Sequence, residues 1–193
     1  MFKRILLSAA LAGAVFAASA ESVDYRMDPT HTMVLASWNH FGYSNPTANF
    51  GDATGTISYD AEAPENSKVE VVLPMSGLTS FVPDLDEHLR SADFFDAAQF
   101  PEARFTSTSV RDLGEGRLEV TGNLTLHGVT RPVVLDATLN KAAPHPMGNT
   151  PTIGFDATTT INRSEFGIDK YVPMVSDAVT IRITTEASVA GEG

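Results

Sequence analysis

The sequence predicts an all-β protein, a barrel or a sandwich, and three observations support this. Apolar and polar residues alternate at a period of two in several segments, as they do in strands that are buried on one face. Short clusters of Gly, Pro, Asn and Asp separate these segments, as strand connections require. Only one short stretch has helical spacing. Because neighbouring segments follow closely in sequence, we expect mostly antiparallel strand pairs.

The first twenty residues do not belong to this pattern. Two basic residues precede an apolar run that ends in an Ala-x-Ala motif at Ala20, which is typical of a secretory signal peptide cleaved after that residue. We therefore predict a signal peptide over residues 1–20 and a single domain over residues 21–193. The short basic segment and compact apolar run fit export into a bacterial periplasm.

Composition excludes several classes of function. The chain has 24 Asp and Glu against 13 Lys and Arg, a formal net charge of −11, and loss of the signal peptide's two basic residues makes it more negative. This balance argues against nucleic acid and anionic lipid surfaces as partners. The absence of Cys excludes disulfides and thiol chemistry. No second apolar stretch approaches the ~20 residues of a membrane span, so we expect a mature protein that does not span the membrane.

The alternation predicts eight or nine strands. The strand segments are residues 23–27, 33–41, 54–59, 69–73, 105–110, 118–126, 133–139, 153–161 and 179–187. Residues 114–116 and 127–132 are predicted as hairpin turns, because each contains Gly between two alternating segments. Residues 142–151 hold three Pro and one Gly and are expected to form a mobile loop.

One segment, around residues 84–91, departs from the strand pattern. Leu85 and Leu89 are four positions apart and acidic residues come first, which predicts a short helix. Three phenylalanines follow between residues 94 and 100. We expect this helix and its Phe-rich connection to pack over one barrel end or one sheet edge.

Motifs for catalysis and metal binding are absent. The sequence has no G-x-S-x-G elbow and no Cys nucleophile, and its five His have no metal-binding spacing. The aspartates near the helix do not match a calcium loop, and their simpler interpretation is helix N-terminal charge and capping. We therefore predict no catalytic residue, no metal and no cofactor.

Two questions stay open at the level of residues alone. Aromatic side chains come from nearly every part of the chain, and those facing inward either fill the core or line a cavity, since barrels of about eight strands allow both. Arg163 follows a clean strand at a turn, where it is either a structural ion-pair partner or a clamp for a ligand head group.

Five sequence blocks in order resemble the YceI-like family. They are Asp28-x-x-His31-Thr32, HFGYS at 40–44, DEHLRSADFFD at 86–96 with Phe100-Pro101 and FTST at 105–108, GNLTLHGVTRPV at 122–133, and GF at 154–155 leading to INRSEFGI at 161–168. The resemblance implies a lipocalin-like extended antiparallel β-barrel of about eight strands. It further implies a periplasmic protein that holds a polyisoprenoid lipid in an apolar channel, without catalysis or metal, and a homodimer, since dimers are common in the family.

On this basis we expect a binding or carrier protein for an isoprenoid quinone, a polyprenyl chain or a similar long-chain amphipathic lipid. The residues expected to line the channel are Trp38, Phe41, Phe50, Leu89, Phe94, Phe95, Phe105, Leu124, Leu126, Phe155 and Phe166. His40, His88 and Arg163 are expected near the head group, and the helix with its phenylalanines is expected to act as a lid.

The same residues allow two other classes of function. A filled barrel would suit a periplasmic interaction or stress protein that binds no lipid. An enzyme acting on a prenyl lipid would use His40 or His88 as a general acid or base, with a carboxylate or Arg beside it.

Overall fold

The computed structural model describes residues 22–190, so the predicted signal peptide lies outside the described residues. The strands, in chain order, are β1 (Val23–Met27), β2 (Met33–His40), β3 (Thr47–Phe50), β4 (Thr54–Tyr59), β5 (Lys68–Pro74), β6 (Leu78–Thr79), β7 (Glu102–Gly114), β8 (Arg117–Leu126), β9 (Val129–Pro144), β10 (Pro151–Asn162) and β11 (Val175–Ser188). The helix α1 spans Pro83–Arg90, between β6 and β7. Single 3-10 turns lie at Pro29–His31, Pro64–Asn66, Met75–Gly77 and Arg163–Phe166.

Eight of these strands close into an antiparallel barrel. The order around the barrel is β1-β4-β5-β7-β8-β9-β10-β11, and β11 pairs back with β1. Because β11 pairs with β1, neither end of this eight-strand order is left as a free edge. The predicted lipocalin-like β-barrel is thereby confirmed.

Strands β7 to β11 form one meander along most of the barrel wall. The β7–β8 turn places Glu115 at φ 56° and Gly116 at φ 74°, and the β8–β9 turn places His127 at φ 51° and Gly128 at φ 73°. Two central residues with positive φ are typical of the tight turns that match the twist of a hairpin. Both predicted hairpins are present, the second with a two-residue turn rather than the six residues expected.

The long strand β11 pairs with two successive strands on one edge. Residues 179–184 of β11 pair with β2, whereas Ser188 and Ala187 pair with Arg26 and Met27 of β1. Beyond β2 the sheet continues outward to β3 and β6. The wall therefore flares away from the barrel at the end where β2 finishes and β11 begins.

The helix α1 lies at the flared end of the barrel, as expected. Proline at the first helical position and two acidic residues in the first turn favour its start. The side chain of Arg90 donates hydrogen bonds to the carbonyl oxygens of Met75 (3.2 Å) and Leu78. These bonds attach the C-terminal end of α1 to the segment around β6.

Strand boundaries are where the sequence-based predictions are least accurate. Strands β3 and β6 were not predicted, because each is too short to show alternation. Strand β9 continues to Pro144 and β10 begins at Pro151, so the connection is shorter than the predicted loop over 142–151. Pro144 and Pro151 face each other at the last pair of this ladder, where a missing N–H group is tolerated.

Candidate functional site

The barrel encloses an inner cavity of about 150 Å³. Strands from around the whole barrel contribute inward-facing side chains to it, as a closed sheet with period-two alternation requires. The lining comprises Met27, Val34, Ile57, Tyr59, Ser67, Val69, Val71, Leu73, Phe105, Val110, Leu118, Val120, Leu124, Val133, Leu135, Ala137, Phe155, Ala157, Thr159, Ile181, Ile183 and Thr185. The barrel interior is therefore open rather than filled, and its walls are mostly aliphatic and aromatic.

Two hydroxyl groups on the inner wall already have hydrogen-bond partners. The Thr185 hydroxyl lies 2.7 Å from the hydroxyl of Thr32, and both residues are buried. The Ser67 hydroxyl accepts a hydrogen bond from the backbone N–H of Asp60 at 3.1 Å. Since a buried hydroxyl that is already bonded adds little polarity, the cavity presents mainly carbon surface to anything inside it.

A second, outer cavity of about 190 Å³ lies under α1 at the flared end. Its lining comprises Ala36, Trp38, His40, Ala48, Phe50, Leu85, His88, Leu89, Phe94, Phe95, Leu126, Ile161, Arg163, Ile168, Tyr171, Val175, Val179 and Ile181. The rings of Phe50 and Phe95 meet edge to face, with centroids 5.5 Å apart. The helix and its Phe-rich connection thus form one wall of this cavity.

The inner and outer cavities adjoin at Ile181. This residue of β11 lines both of them, and its neighbours on the same inward face, Val179 and Ile183, line the outer and the inner cavity respectively. The inward face of β11 therefore follows an apolar path from the flared end toward the middle of the barrel.

Polar groups occur where the outer cavity meets solvent. His40 is exposed, and the imidazole of His88 lies 3.7 Å from a carboxylate oxygen of Asp93. The other carboxylate oxygen of Asp93 accepts a hydrogen bond from the Lys170 ammonium at 3.1 Å. This hydrogen bond holds the pKa of Asp93 below its ordinary value, and the same contact raises the pKa of Lys170.

Arg163 is buried, and its guanidinium is occupied by the backbone. It donates to the carbonyl oxygens of Ile168 (2.8 Å), Lys170 (2.9 Å), Val175 (2.9 Å) and Ser176 (2.9 Å). Burial lowers its pKa, although Asp177 and Asp169 oppose this effect. The geometry fits a clamp that holds the β10–β11 connection in place, which is the structural role of the two that the sequence left open.

Most of the residues expected to line a channel do face one of the two cavities. Phe105, Leu124 and Phe155 line the inner cavity, and Trp38, Phe50, Leu89, Phe94, Phe95 and Leu126 line the outer one. All three residues expected near a head group, His40, His88 and Arg163, border the outer cavity. Their contact with a ligand remains a prediction.

Phe41 and Phe166 line neither cavity, contrary to expectation. Phe41 lies in the β2–β3 turn at φ 54° and is 46% exposed, because the turn directs it outward over His40. Phe166 is 1% exposed and packs within the 3-10 turn that follows β10. Both lie in turns, where alternation does not predict the direction of a side chain.

Sequence reasoning based on aromatic residues missed the aliphatic wall of the inner cavity. Ile181, Ile183 and Thr185 lie on one face of β11, and their alternation in the sequence was the signal that could have identified them. Tyr171, which borders the outer cavity, lies in a connection without periodicity and gave no such signal.

Within residues 22–190 there is no cluster of three or more His, Asp and Glu side chains that could hold a metal ion. The aspartates near α1 have other partners: Asp86 accepts hydrogen bonds from Ser80, and Asp96 accepts one from Gln99. No helix in this part of the chain is long and apolar enough to cross a membrane.

A closed antiparallel barrel with an apolar interior and one short helix across its end is a lipocalin-like fold. The family model described as "YceI-like domain" matches residues 25–187. The chain therefore belongs to the YceI-like family, a binding-protein fold.

Relatives agree with this assignment. The chain is 41% identical over 189 residues to a UPF0312 protein of Pseudomonas syringae pv. tomato, covering 96% of this chain and 97% of the relative. It is 40% identical over 171 residues to a UPF0312 protein of Pseudomonas putida strain W619, covering 87% of this chain and 88% of the relative.

Solved structures share the fold. The Campylobacter jejuni YceI protein superposes with a TM-score of 0.72 at 28% identity, covering 79% of this chain and 90% of that one. BcnA of Burkholderia cenocepacia has a TM-score of 0.76 at 21% identity, covering 83% and 99%. A domain of Saccharophagus degradans described as polyisoprenoid binding has a TM-score of 0.68 at 15% identity, covering 86% and 98%.

Proposed function

We propose that this protein binds and carries a long isoprenoid lipid, such as an isoprenoid quinone or a polyprenyl chain. The observation that carries the proposal is the pair of adjoining apolar cavities that share Ile181 and reach solvent beside the lid. The likeness in fold to a domain described as polyisoprenoid binding supports the same class of ligand. On this proposal the lipid is the ligand, and no catalytic step, metal or other cofactor takes part.

The inner cavity suits the hydrocarbon end of the lipid. Its lining offers carbon surface, and the Thr185 and Ser67 hydroxyls are already bonded. Moving a hydrocarbon tail from water into such a site stabilises the complex by about 0.8 kcal/mol for each buried methylene. A polar group placed there would lose its hydrogen bonds to water without replacement. The tail of the lipid, and not its head group, therefore occupies the inner cavity.

The dimensions of the two cavities suit an extended hydrocarbon chain rather than a compact molecule. An apolar cavity of about 150 Å³ in a protein core holds a molecule of benzene size, and each of the two cavities is of this order. A chain of five-carbon isoprene units places successive units in successive cavities. The tail therefore passes Ile181, which separates its inner part from its outer part.

By the same reasoning, the proposal puts the head group of the lipid at the end of the barrel where α1 lies. His40, His88 and Tyr171 border the outer cavity and are partly or fully open to solvent. Imidazole and phenol groups donate or accept hydrogen bonds, so they can orient a quinone ring or a phosphate without burying it. The affinity comes from the tail, and the orientation comes from these groups.

The proposed location is the periplasm, where a water-filled space separates two membranes. The signal peptide predicted from the sequence supplies the export, and a strongly acidic chain stays soluble there by self-repulsion. A lipid with a long tail crosses such a space only when its tail is shielded, which the barrel does.

A fluorescence titration tests the proposal. Trp38 is the single tryptophan of the chain and lines the outer cavity, so a bound quinone ring quenches its emission. We expect saturable, one-to-one quenching by a quinone with a prenyl tail, and no saturation at the same concentrations by the ring without a tail. Equal quenching by both compounds, or none by either, contradicts the proposal. The Leu124→Asp variant is the matched control, since it places a charge in the inner cavity and weakens binding without touching Trp38.

A further inference from the structure

Two turns beside the outer cavity expose a group of apolar side chains. Tyr43 is 92% exposed, Met174 58%, Phe41 46% and Tyr171 44%. Tyr43 and Phe41 lie in the β2–β3 turn, and Tyr171 and Met174 lie in the connection before β11. We call these four residues the rim. Scattered exposed apolar residues need no explanation, but a contiguous group marks an interaction surface.

Hydrogen bonds hold the two turns of the rim together. The backbone N–H of Phe41 donates to the carbonyl oxygen of Met174 at 3.0 Å, and that of Tyr43 donates to His40 at 3.0 Å. His40 is in turn paired with Val175, whose N–H donates to Tyr171 at 2.9 Å. The rim is therefore one surface, and it borders the cavity that His40, Tyr171 and Val175 line.

The two segments that carry the rim have no Lys, Arg, Asp or Glu side chains, although the Lys170 ammonium lies 5.6 Å from the centroid of the Tyr171 ring at the edge of the rim. Residues 29–51 contain none of these, and neither do residues 171–176, although the chain has 37 such residues in total from its 13 basic and 24 acidic ones. Inserting a charge into a lipid leaflet is costly, whereas Tyr and Phe are favoured at the boundary between head groups and acyl chains. Uncharged turns that expose Tyr, Phe and Met therefore suit a lipid surface.

We propose that the rim docks on the surface of a neutral, zwitterionic lipid bilayer and sets the mouth of the barrel against it. This inference rests on the proposed function, because a lipid tail that leaves a leaflet for the barrel must cross the mouth. The net charge of −11 disfavours an anionic leaflet, so the attraction comes from apolar side chains. With the rim inserted, a tail passes from the leaflet to the outer cavity without crossing water.

Flotation with vesicles of pure phosphatidylcholine tests docking directly. The double variant Tyr43→Ser with Met174→Gln removes two rim side chains that line neither cavity. Loss of two interfacial anchors is expected to lower the vesicle-bound fraction by about tenfold or more. Met147→Gln is the matched control, because Met147 is 91% exposed but lies in the β9–β10 loop at the opposite end of the barrel.

A variant that is expected to bind vesicles more strongly distinguishes a loss of docking from a loss of folding. Tyr43→Trp strengthens an interfacial anchor and is expected to raise the bound fraction above that of the wild type. The proposal is overturned if the wild type does not float, if Met147→Gln loses binding as much as the double variant, or if Tyr43→Trp has no effect. It is also overturned if the double variant dissociates a dimer in light scattering while vesicle binding is unchanged, since the rim then contacts a second copy.

The docking proposal and the proposed function fail separately. Quenching of Trp38 by a prenyl quinone in vesicle-free solution depends on the cavities, and the double variant is expected to retain it. Transfer of the same quinone out of vesicles depends on docking, and the double variant is expected to slow it about tenfold. Saturable quenching without vesicle binding overturns docking alone, and vesicle binding without quenching overturns the carrier function alone.

Discussion

The ammonium group of Lys170 lies 3.1 Å from a carboxylate oxygen of Asp93, and this pair joins the lid to the connection between β10 and β11. Asp93 follows α1, and its neighbour Phe94 lies with its ring centroid 6.3 Å from that of Tyr171. The opposite side of the lid is attached through Arg90 to the segment around β6. The lid is thus held at two sides, and the Lys170–Asp93 pair is the more exposed attachment.

Removing this ion pair is expected to speed ligand release. Because an exposed ion pair contributes little to stability, Asp93→Asn should raise the release rate by roughly two- to five-fold with little loss of thermal stability. Stopped-flow recovery of Trp38 fluorescence after displacement of a quinone measures the rate. Glu119→Gln is the matched control, since Glu119 pairs with Arg111 at 2.7 Å on the barrel wall. Equal acceleration by both variants would contradict a role for the lid.

The same pair gives the lid a dependence on pH. The pKa of Asp93 is lowered from its ordinary value of 3.8 by the hydrogen bond from Lys170, so the contact favours the charged carboxylate. Its stabilising effect is complete above the ordinary pKa and is lost as pH falls through the lowered folded value. Release should therefore accelerate in acid below about pH 4 in the wild type and show a flatter pH profile in Asp93→Asn. Identical profiles would show that other groups control the lid.

Ile181 is expected to determine how long a tail the barrel accepts. Ile181→Phe adds volume where the two cavities adjoin and blocks the inner one. Each 1.4 kcal/mol of lost burial weakens binding about tenfold, so long-tailed quinones should lose at least that much affinity. Short-tailed ones, held in the outer cavity, should lose little. Val134→Phe changes an exposed residue of the barrel wall and is the control. It should bind long-tailed and short-tailed quinones with the affinities of the wild type.

Arg163 is expected to affect stability rather than head-group preference. Its guanidinium donates four hydrogen bonds to backbone carbonyls, and an ammonium group cannot reproduce that planar geometry. Arg163→Lys should lower the free energy of unfolding by about 2–4 kcal/mol, measured by urea unfolding. The relative affinity for a prenyl quinone and a polyprenyl phosphate should stay constant. Exposed Arg131→Lys is the control, and a selective loss of phosphate binding in Arg163→Lys would contradict the clamp.

The phenylalanines of the lid should be needed for binding. Phe94 and Phe95 line the outer cavity, and replacing both with Asp places two charges against the ligand. Desolvating even one charge costs several kcal/mol, so binding should weaken at least a hundredfold in the Trp38 titration. Phe81→Asp changes a phenylalanine that is 81% exposed and should bind normally. Retained affinity in the double variant would exclude these residues from the site.

Much of the fold could be predicted because strand alternation is a local signal. The inward face of β11, with Ile181 and Ile183, follows directly from the period-two pattern, and the hairpin at Glu115-Gly116 follows from its turn residues. Strands β3 and β6 could not be predicted, because four and two residues are too few to show a period. Strand β3 adds to the edge of β2, and β6 adds to the edge of β3.

The site was less predictable because it depends on how turns are folded. Phe41 and Phe166 belong to turns, one directed to solvent and the other fully buried. The two interpretations of Arg163 could be separated only by the path of the β10–β11 connection, which brings four carbonyl oxygens to one guanidinium. The adjoining of the two cavities at Ile181 depends on the radius of the closed barrel, which no local pattern specifies.

The most direct test of the carrier function is to ask what the protein holds when it is isolated. Native mass spectrometry of the protein from its own periplasm, followed by organic extraction, identifies any bound molecule. We expect one long prenyl lipid per barrel in the wild type and none in the Ile181→Phe variant. An empty protein that also fails to take up an added isoprenoid quinone or polyprenyl phosphate would contradict it.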